Sequence, residues 1–247
     1  MSQQPEAADR GHWSAHAIWW QLDPLGFVGA ERQALPPSAP AAPRLLRLAN
    51  WLDYLVELGC NGLALGPVFA SETHGYDTID HFQVDRRLGA EGDLIALIEQ
   101  ASARGVHVLL DGVFNHVGRS FPAFADVVAH GPRSRYASWF CPGPDGEYRT
   151  FEGHHRLVTL NHDDPAVADY VTGVLTYWLD RGISGWRLDA AYAVPLPFWR
   201  LVTDRVHARF PDAWLVGEVI HGDYGRYVAA GGLSSPSTSC GRRSGAR

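Results

Sequence analysis

Apolar residues along this chain alternate between two rhythms. Short apolar runs occur at AIWWQL (17–22), GLALG (62–66), VHVLLDGV (106–113), ISGWRLDA (183–190) and AWLVGEV (213–219). Their length and their glycine-bounded ends suit buried β-strands. Between them the period changes. RLLRLANWLDYLVELG places leucines at 45, 48, 52, 55 and 58, the spacing of one helical face, and Gly59 supplies a stop. EGDLIALIEQASARG repeats the device with Leu94, Leu97, Ile98 and Ala101, closed by Gly105. A third helix is predicted from Pro165, a residue suited to the first helical position, and a fourth over 196–209. Residues 117–160, rich in Gly, Pro, His and aromatics, break the rhythm. The pattern predicts an α/β fold of about five parallel βα units with a short insertion after the third strand. A barrel and a doubly wound sheet both satisfy it.

Composition narrows the function classes. At 247 residues and 46% hydrophobic, the chain can bury one large core or two smaller ones. A formal charge of -6 without a long basic run argues against a nucleic-acid partner. Cys60, Cys141 and Cys240 lack metal or disulfide spacing, which fits a reducing compartment. No apolar run approaches about 18 residues, so no membrane span is expected, and the start lacks a secretion signal. A cytoplasmic enzyme is the expectation. Residues 1–15 are expected to be a flexible N-terminus and 16–232 the folded domain. The Ser-, Gly- and Arg-rich stretch 233–247 is expected to be a disordered or out-of-frame tail.

Several charges interrupt or end the apolar runs. Asp111, Asn115 and His116 stand in DGVFNH, Arg187 and Asp189 in GWRLD, Glu218 in GEV, and Tyr76 and Asp77 in THGYD. In parallel α/β folds the chemistry gathers at the carboxyl ends of strands. Arg187 and Asp189, two apart, leave one face of a strand. Taken alone, that pair is equally well a structural ion pair. If their strands are neighbours, Asp189 and Glu218 stand about 4.8 Å apart along the sheet. Retaining glycosidases use carboxyls roughly 5–5.5 Å apart, one as nucleophile and one as proton donor.

With these motifs in order, the chain resembles the α-amylase family of glycoside hydrolases from about residue 16 to 232. DGVFNH (111–116), GWRLDAAYA (185–193) and GEV (217–219) carry the resemblance, supported by LGCNGLALGPVFASETHGYDTIDHFQVDRRLG upstream. It implies a TIM (β/α)8 barrel, incomplete here at about five units, and retaining hydrolysis or transglycosylation at the α-glucosidic bonds of malto-oligosaccharides or related α-glucans. It makes Asp189 the nucleophile and Glu218 the acid/base. It places Arg187 beside the nucleophile, His116 and Tyr76 in the sugar subsite, Asp111 as a partner of Arg187, and Asp77 behind the subsite. Asn115 resembles a calcium ligand, but no acidic cage accompanies it, so no cofactor is predicted.

Two departures qualify the resemblance. Starch-cutting members carry Lys-His where this chain has Tyr192 and Ala193, which favours smaller oligosaccharides. The fourth signature region, with its third acid after a seventh strand, is missing. Asn161-His162-Asp163 imitates it, yet its place suits a helix start, with Asp163 or Asp164 as cap. An inactive truncated fragment or carbohydrate-binding remnant is therefore the alternative reading. In the insertion, Trp139 and Phe140 are the candidate sugar platforms, and His154 and His155 can face the site. A nucleotide-binding sheet is disfavoured, since no glycine-rich phosphate loop follows any strand.

Overall fold

The computed structural model describes residues 13–36, 38–143 and 146–237. The elements follow in chain order: β1 (Trp19–Leu22), α1 (Pro24–Phe27), α2 (Leu46–Ala49), α3 (Leu52–Glu57), β2 (Gly62–Leu65), β3 (Phe69–Ser71) and β4 (Thr78–Val84). Then come α4 (Glu91–Ser102), β5 (His107–Gly112), β6 (His116–Gly118), α5 (Pro122–His130), β7 (Leu157–Thr159) and α6 (Pro165–Leu179). β8 (Gly185–Leu188), α7 (Leu196–Arg209), β9 (Trp214–Glu218), α8 (Tyr224–Ala229) and β10 (Ser235–Ser237) complete the series.

All five strands expected from the apolar runs form. Together with β10 they pair in parallel in the order β1-β2-β5-β8-β9-β10. Sequential order without reversal decides between the two architectures, because a doubly wound sheet turns back at a switch point. The sheet is also strongly curled. Four strand spacings of a flat sheet would hold β1 and β9 about 19 Å apart. Instead Trp19 and Trp214 stack across the interior at 5.2 Å and 5°. The arc is part of a barrel, with Trp19 and Trp214 packed on a small inner cluster of Ala64, Leu109 and Val216.

The helical stripes close the outer layer. Leu45, Leu48, Leu52 and Leu55 are buried to 1% exposure or less, whereas Leu58 is 53% exposed and drops out of the stripe. The single helix expected there is two, α2 and α3, joined where Trp51 N bonds Leu48 O in a tighter turn. Gly59 and Gly105 end their helices with φ of 79° and 71°, the left-handed turn that glycine makes without strain. Asp164 caps α6 by accepting from Ala166 N at 2.8 Å, with Pro165 first in the helix. The Asn161-His162-Asp163 stretch is thus a helix entry.

Two terminal expectations change. Within 1–15, residues 13 to 15 belong to the fold: Trp13–His16 forms a 3-10 turn. The Trp13 indole stacks on His107 at 3.9 Å and donates to Asp212 O at 3.1 Å, closing the amino end of the arc. Residues 1–12 lie outside the described residues. Within 233–247, Ser235–Ser237 pairs with β9 as a sixth strand. Parallel pairing needs only the backbone groups that β9 would otherwise leave open, so no apolar signal announces it. Residues 238–247 lie outside the described residues. Among the described residues no helix is long and apolar enough to cross a membrane.

Candidate active site

Strand register brings the strand-end charges together. β5 and β8 set Asp111 beside Arg187, and β8 and β9 set Leu188 beside Gly217. Asp189 and Glu218 therefore emerge next to each other, one residue further on. Arg187 ties the group. Its Nη1 donates to both oxygens of Asp111 at 2.6 Å and to Asp189 Oδ1 at 3.3 Å. Its Nη2 meets Glu218 Oε1 at 2.8 Å. One guanidinium thus faces three carboxylates, which a simple Arg187–Asp189 ion pair would not require.

The cluster is largely dehydrated. The Asp111 side chain is fully buried, and those of Arg187 and Asp189 are each 10% exposed. Burial pushes Asp111 up to about 6, against the pull of Arg187. Burial, together with the charge of Asp111, lifts Asp189 well above the usual carboxylate range, again opposed by Arg187. For Arg187, burial works to lower its pKa, but Asp111, Asp189 and Glu218 outweigh it and the net shift is upward. Retaining glycoside cleavage needs Glu218 protonated and Asp189 ionised, and for Asp189 it is the charge and hydrogen bond of Arg187 that pull toward the ionised form.

The surrounding side chains sharpen this picture. Ala190, directly after Asp189, adopts φ 46° and ψ 36° and donates its N–H to Glu218 Oε2 at 3.0 Å. That left-handed conformation costs a residue with a Cβ about 1–2 kcal/mol. Tyr76 donates its phenol to Asp111 Oδ2 at 3.3 Å, and burial raises its pKa. Asp77 does not touch the cluster; its carboxylate accepts from Thr73 N at 3.0 Å and stiffens the loop that carries Tyr76. His116 is buried, and burial lowers its pKa to about 4. Its Nδ1 accepts from Asn115 Nδ2 at 3.1 Å, and its Nε2 has no partner among the described residues. Such a buried orphan costs about 1–3 kcal/mol, which a ligand hydroxyl would relieve.

Asn115, the candidate calcium ligand, bonds His116 through its Nδ2, and its Oδ1 takes no part in that contact. Among the described residues no group of three or more His, Cys, Asp or Glu could hold a metal ion.

The aromatic assignments in the insertion are corrected. Trp139 and Phe140 are 9% and 1% exposed and pack inward. Trp139 lies 5.3 Å from the Tyr170 ring, and Phe140 5.0 Å from Phe124. They are core, not platforms. His154 and His155 are exposed and do not line the cleft beside the carboxylates. Phe151, not anticipated, stacks on His116 at 4.7 Å and lines that cleft. Arg87 was also hidden in VDRRLG. Fully buried, it donates to Asp85 Oδ1 at 2.8 Å, Ser71 Oγ at 2.7 Å, Thr73 O at 2.5 Å and Glu31 O at 3.1 Å, anchoring the Tyr76 loop.

Comparison with known proteins identifies the family and the fold of the chain. The family model described as alpha amylase, catalytic domain, matches residues 45–230. A cyclomaltodextrinase from Bacillus sp is 36% identical over 231 residues, 85% of this chain and 41% of that protein. The intracellular maltogenic amylase of Bacillus subtilis is 34% identical over 227 residues, 85% of this chain and 39% of that protein. The chain spans about two fifths of the length of these curated relatives. The debranching enzyme of Nostoc punctiforme superposes with a TM-score of 0.79 at 31% identity, covering 92% of this chain and 52% of that one. The cyclic alpha-maltosyl-(1-->6)-maltose hydrolase of Arthrobacter globiformis, ligand-free, gives 0.77 at 32%, covering 89% and 54%. The chain belongs to the α-amylase family of glycoside hydrolases and carries part of its barrel catalytic domain.

Proposed function

We propose that these residues perform retaining cleavage of α-glucosidic bonds in malto-oligosaccharides or related short α-glucans. The adjacency of Asp189 and Glu218 around Arg187, set by strand register, is the observation that carries the reading. Glu218 gives its proton to the glycosidic oxygen while Asp189 attacks the anomeric carbon, forming a glycosyl ester and releasing the leaving sugar. Glu218 then removes a proton from water, or from a second sugar, as that acceptor displaces Asp189. Two inversions return the original anomer. Arg187 keeps Asp189 in place and stabilises its ionised form. Tyr76 and His116 hold the sugar being cleaved, the latter through its unpaired Nε2. Tyr192-Ala193 and the similarity to cyclomaltodextrinases and maltogenic amylases favour short or cyclic substrates.

The third acid that the family resemblance implies has no counterpart in this chain. The test therefore reads the first chemical step directly. 5-Fluoro-α-glucosyl fluoride should add one fluoroglucosyl mass to the protein, mapped to Asp189 and absent from D189N. A label elsewhere, or none, rejects the assignment. Turnover of maltotriose or a cyclodextrin that vanishes in D189N would extend it to full catalysis.

A further inference from the structure

Beside the carboxylate cluster lies an open cleft of about 590 Å³, within the range of sugar-sized ligand sites. Asn115, Arg149, Phe151, Glu152, Tyr192 and His221 line it. Tyr192 and His221 each stand three positions beyond a cluster carboxylate, so the cleft opens where strands β8 and β9 end. Its wall is aromatic: Phe151 faces His116, its ring lies 6.5 Å from Tyr192, and Tyr192 lies 4.8 Å from His221.

Backbone strain independently marks the same wall. Among the described residues, the non-glycine residues with positive φ are Ala190, at 46°, and Glu152, at 47°. Ala190 serves the Glu218 carboxylate. Glu152 is held by its side chain, whose Oε1 accepts from the Tyr192 phenol at 2.8 Å. A conformation costing about 1–2 kcal/mol persists where its surroundings impose it, and such residues concentrate at ligand sites. Glu152 is exposed, so packing does not explain its posture.

We propose that Glu152, oriented by Tyr192, is a specificity-determining residue that binds the hydroxyls of the sugar on the leaving-group side. This inference rests on the reading of Glu218 as proton donor. The leaving sugar must lie beside that donor, and Asp111 stands on the strand at the other side of Arg187. The second carboxylate oxygen of Glu152 accepts from a sugar hydroxyl, while Phe151 and Tyr192 offer apolar faces to the pyranose ring. Arg149 and Glu152 give the cleft wall one charge of each sign, and its aromatic faces suit a neutral sugar. The ligand class is the reducing-end glucose unit of a short α-glucan, or the same unit as incoming acceptor.

The test is calorimetric titration of the full 247-residue chain with maltose, which requires no turnover. Wild type should bind, and E152Q and Y192F should each bind at least fivefold more weakly. R205A, at an exposed ion pair between α6 and α7, should stay within twofold of wild type. Equal affinity in wild type and E152Q, or no binding by wild type, overturns the proposal. A loss in R205A as large as in E152Q makes the effect unspecific and overturns it too. Trapping at Asp189 with unchanged E152Q affinity would remove the subsite alone. Maltose binding that depends on Glu152, without trapping, would remove the catalytic reading alone.

Discussion

Replacing Arg187 by Met asks whether one guanidinium is what permits three carboxylates to share a buried volume. Met keeps much of the apolar stem and removes the charge. The guanidinium lies 2.6 Å from both Asp111 oxygens, 2.8 Å from Glu218 and 3.3 Å from Asp189. At an effective dielectric of 20, each contact is worth roughly 5–6 kcal/mol of bare attraction. Dehydration cancels most of that. Deleting one partner of a buried cluster still costs about 3–5 kcal/mol, because the others stay buried without compensation. Against a typical stability of about 5–15 kcal/mol, R187M should be severely weakened at pH 7.5. The sign of its pH dependence follows from the raised carboxylates. Their folded pKa values exceed the unfolded ones, so the native state binds more protons as pH falls toward 4, and stability falls as pH rises. Losing Arg187 steepens this slope. Urea unfolding followed by tryptophan fluorescence should show the R187M deficit shrinking by at least half between pH 7.5 and pH 5. Adding D111N should restore part of it at pH 7.5. An unchanged midpoint at pH 7.5, or a deficit equal at both pH values, would refute the reasoning.

Three further predictions concern the scaffold. D164A removes the cap of α6 and should cost about 1 kcal/mol in urea unfolding, with activity and trapping unaltered. Burial lowers His81 to about 4, so the unfolded chain takes up its proton first as pH falls. Wild type should then lose up to about 3 kcal/mol between pH 6.5 and pH 4 through this residue, and the difference between H81Q and wild type across that window measures it. G185A should fail to fold or lose several kcal/mol by circular dichroism melting, because its Cβ would sit 2.0 Å from Trp214 O across the β8–β9 pair.

What was legible in the chain, and what was not, divides by how far apart the deciding residues lie. A charge inside an apolar run is visible locally, which is why Asp111, Arg187, Asp189 and Glu218 stand out from their own sequence neighbours. Spacing alone does not name their partners, although the family resemblance pairs Asp111 with Arg187. Arg187 is two residues from Asp189, yet its shortest contacts go to Asp111, because register places Asp111 opposite it across the β5–β8 pair. The same distance rule explains the insertion. Trp139, Phe140 and Phe151 are all aromatics in a segment without period, so nothing local says which face water. Packing against Tyr170 and Phe124 turns the first two inward, and the His116 ring leaves the third at the cleft. Trp13 and Ser235–Ser237 are the limiting cases. One is a single indole whose site is a distant histidine; the other is a strand specified by its neighbour's open backbone. Arg87 belongs with them: besides nearby Asp85, its partners Ser71, Thr73 and Glu31 come from other segments. A residue that positions the Tyr76 loop from beneath therefore leaves less trace in the sequence than the residues it positions.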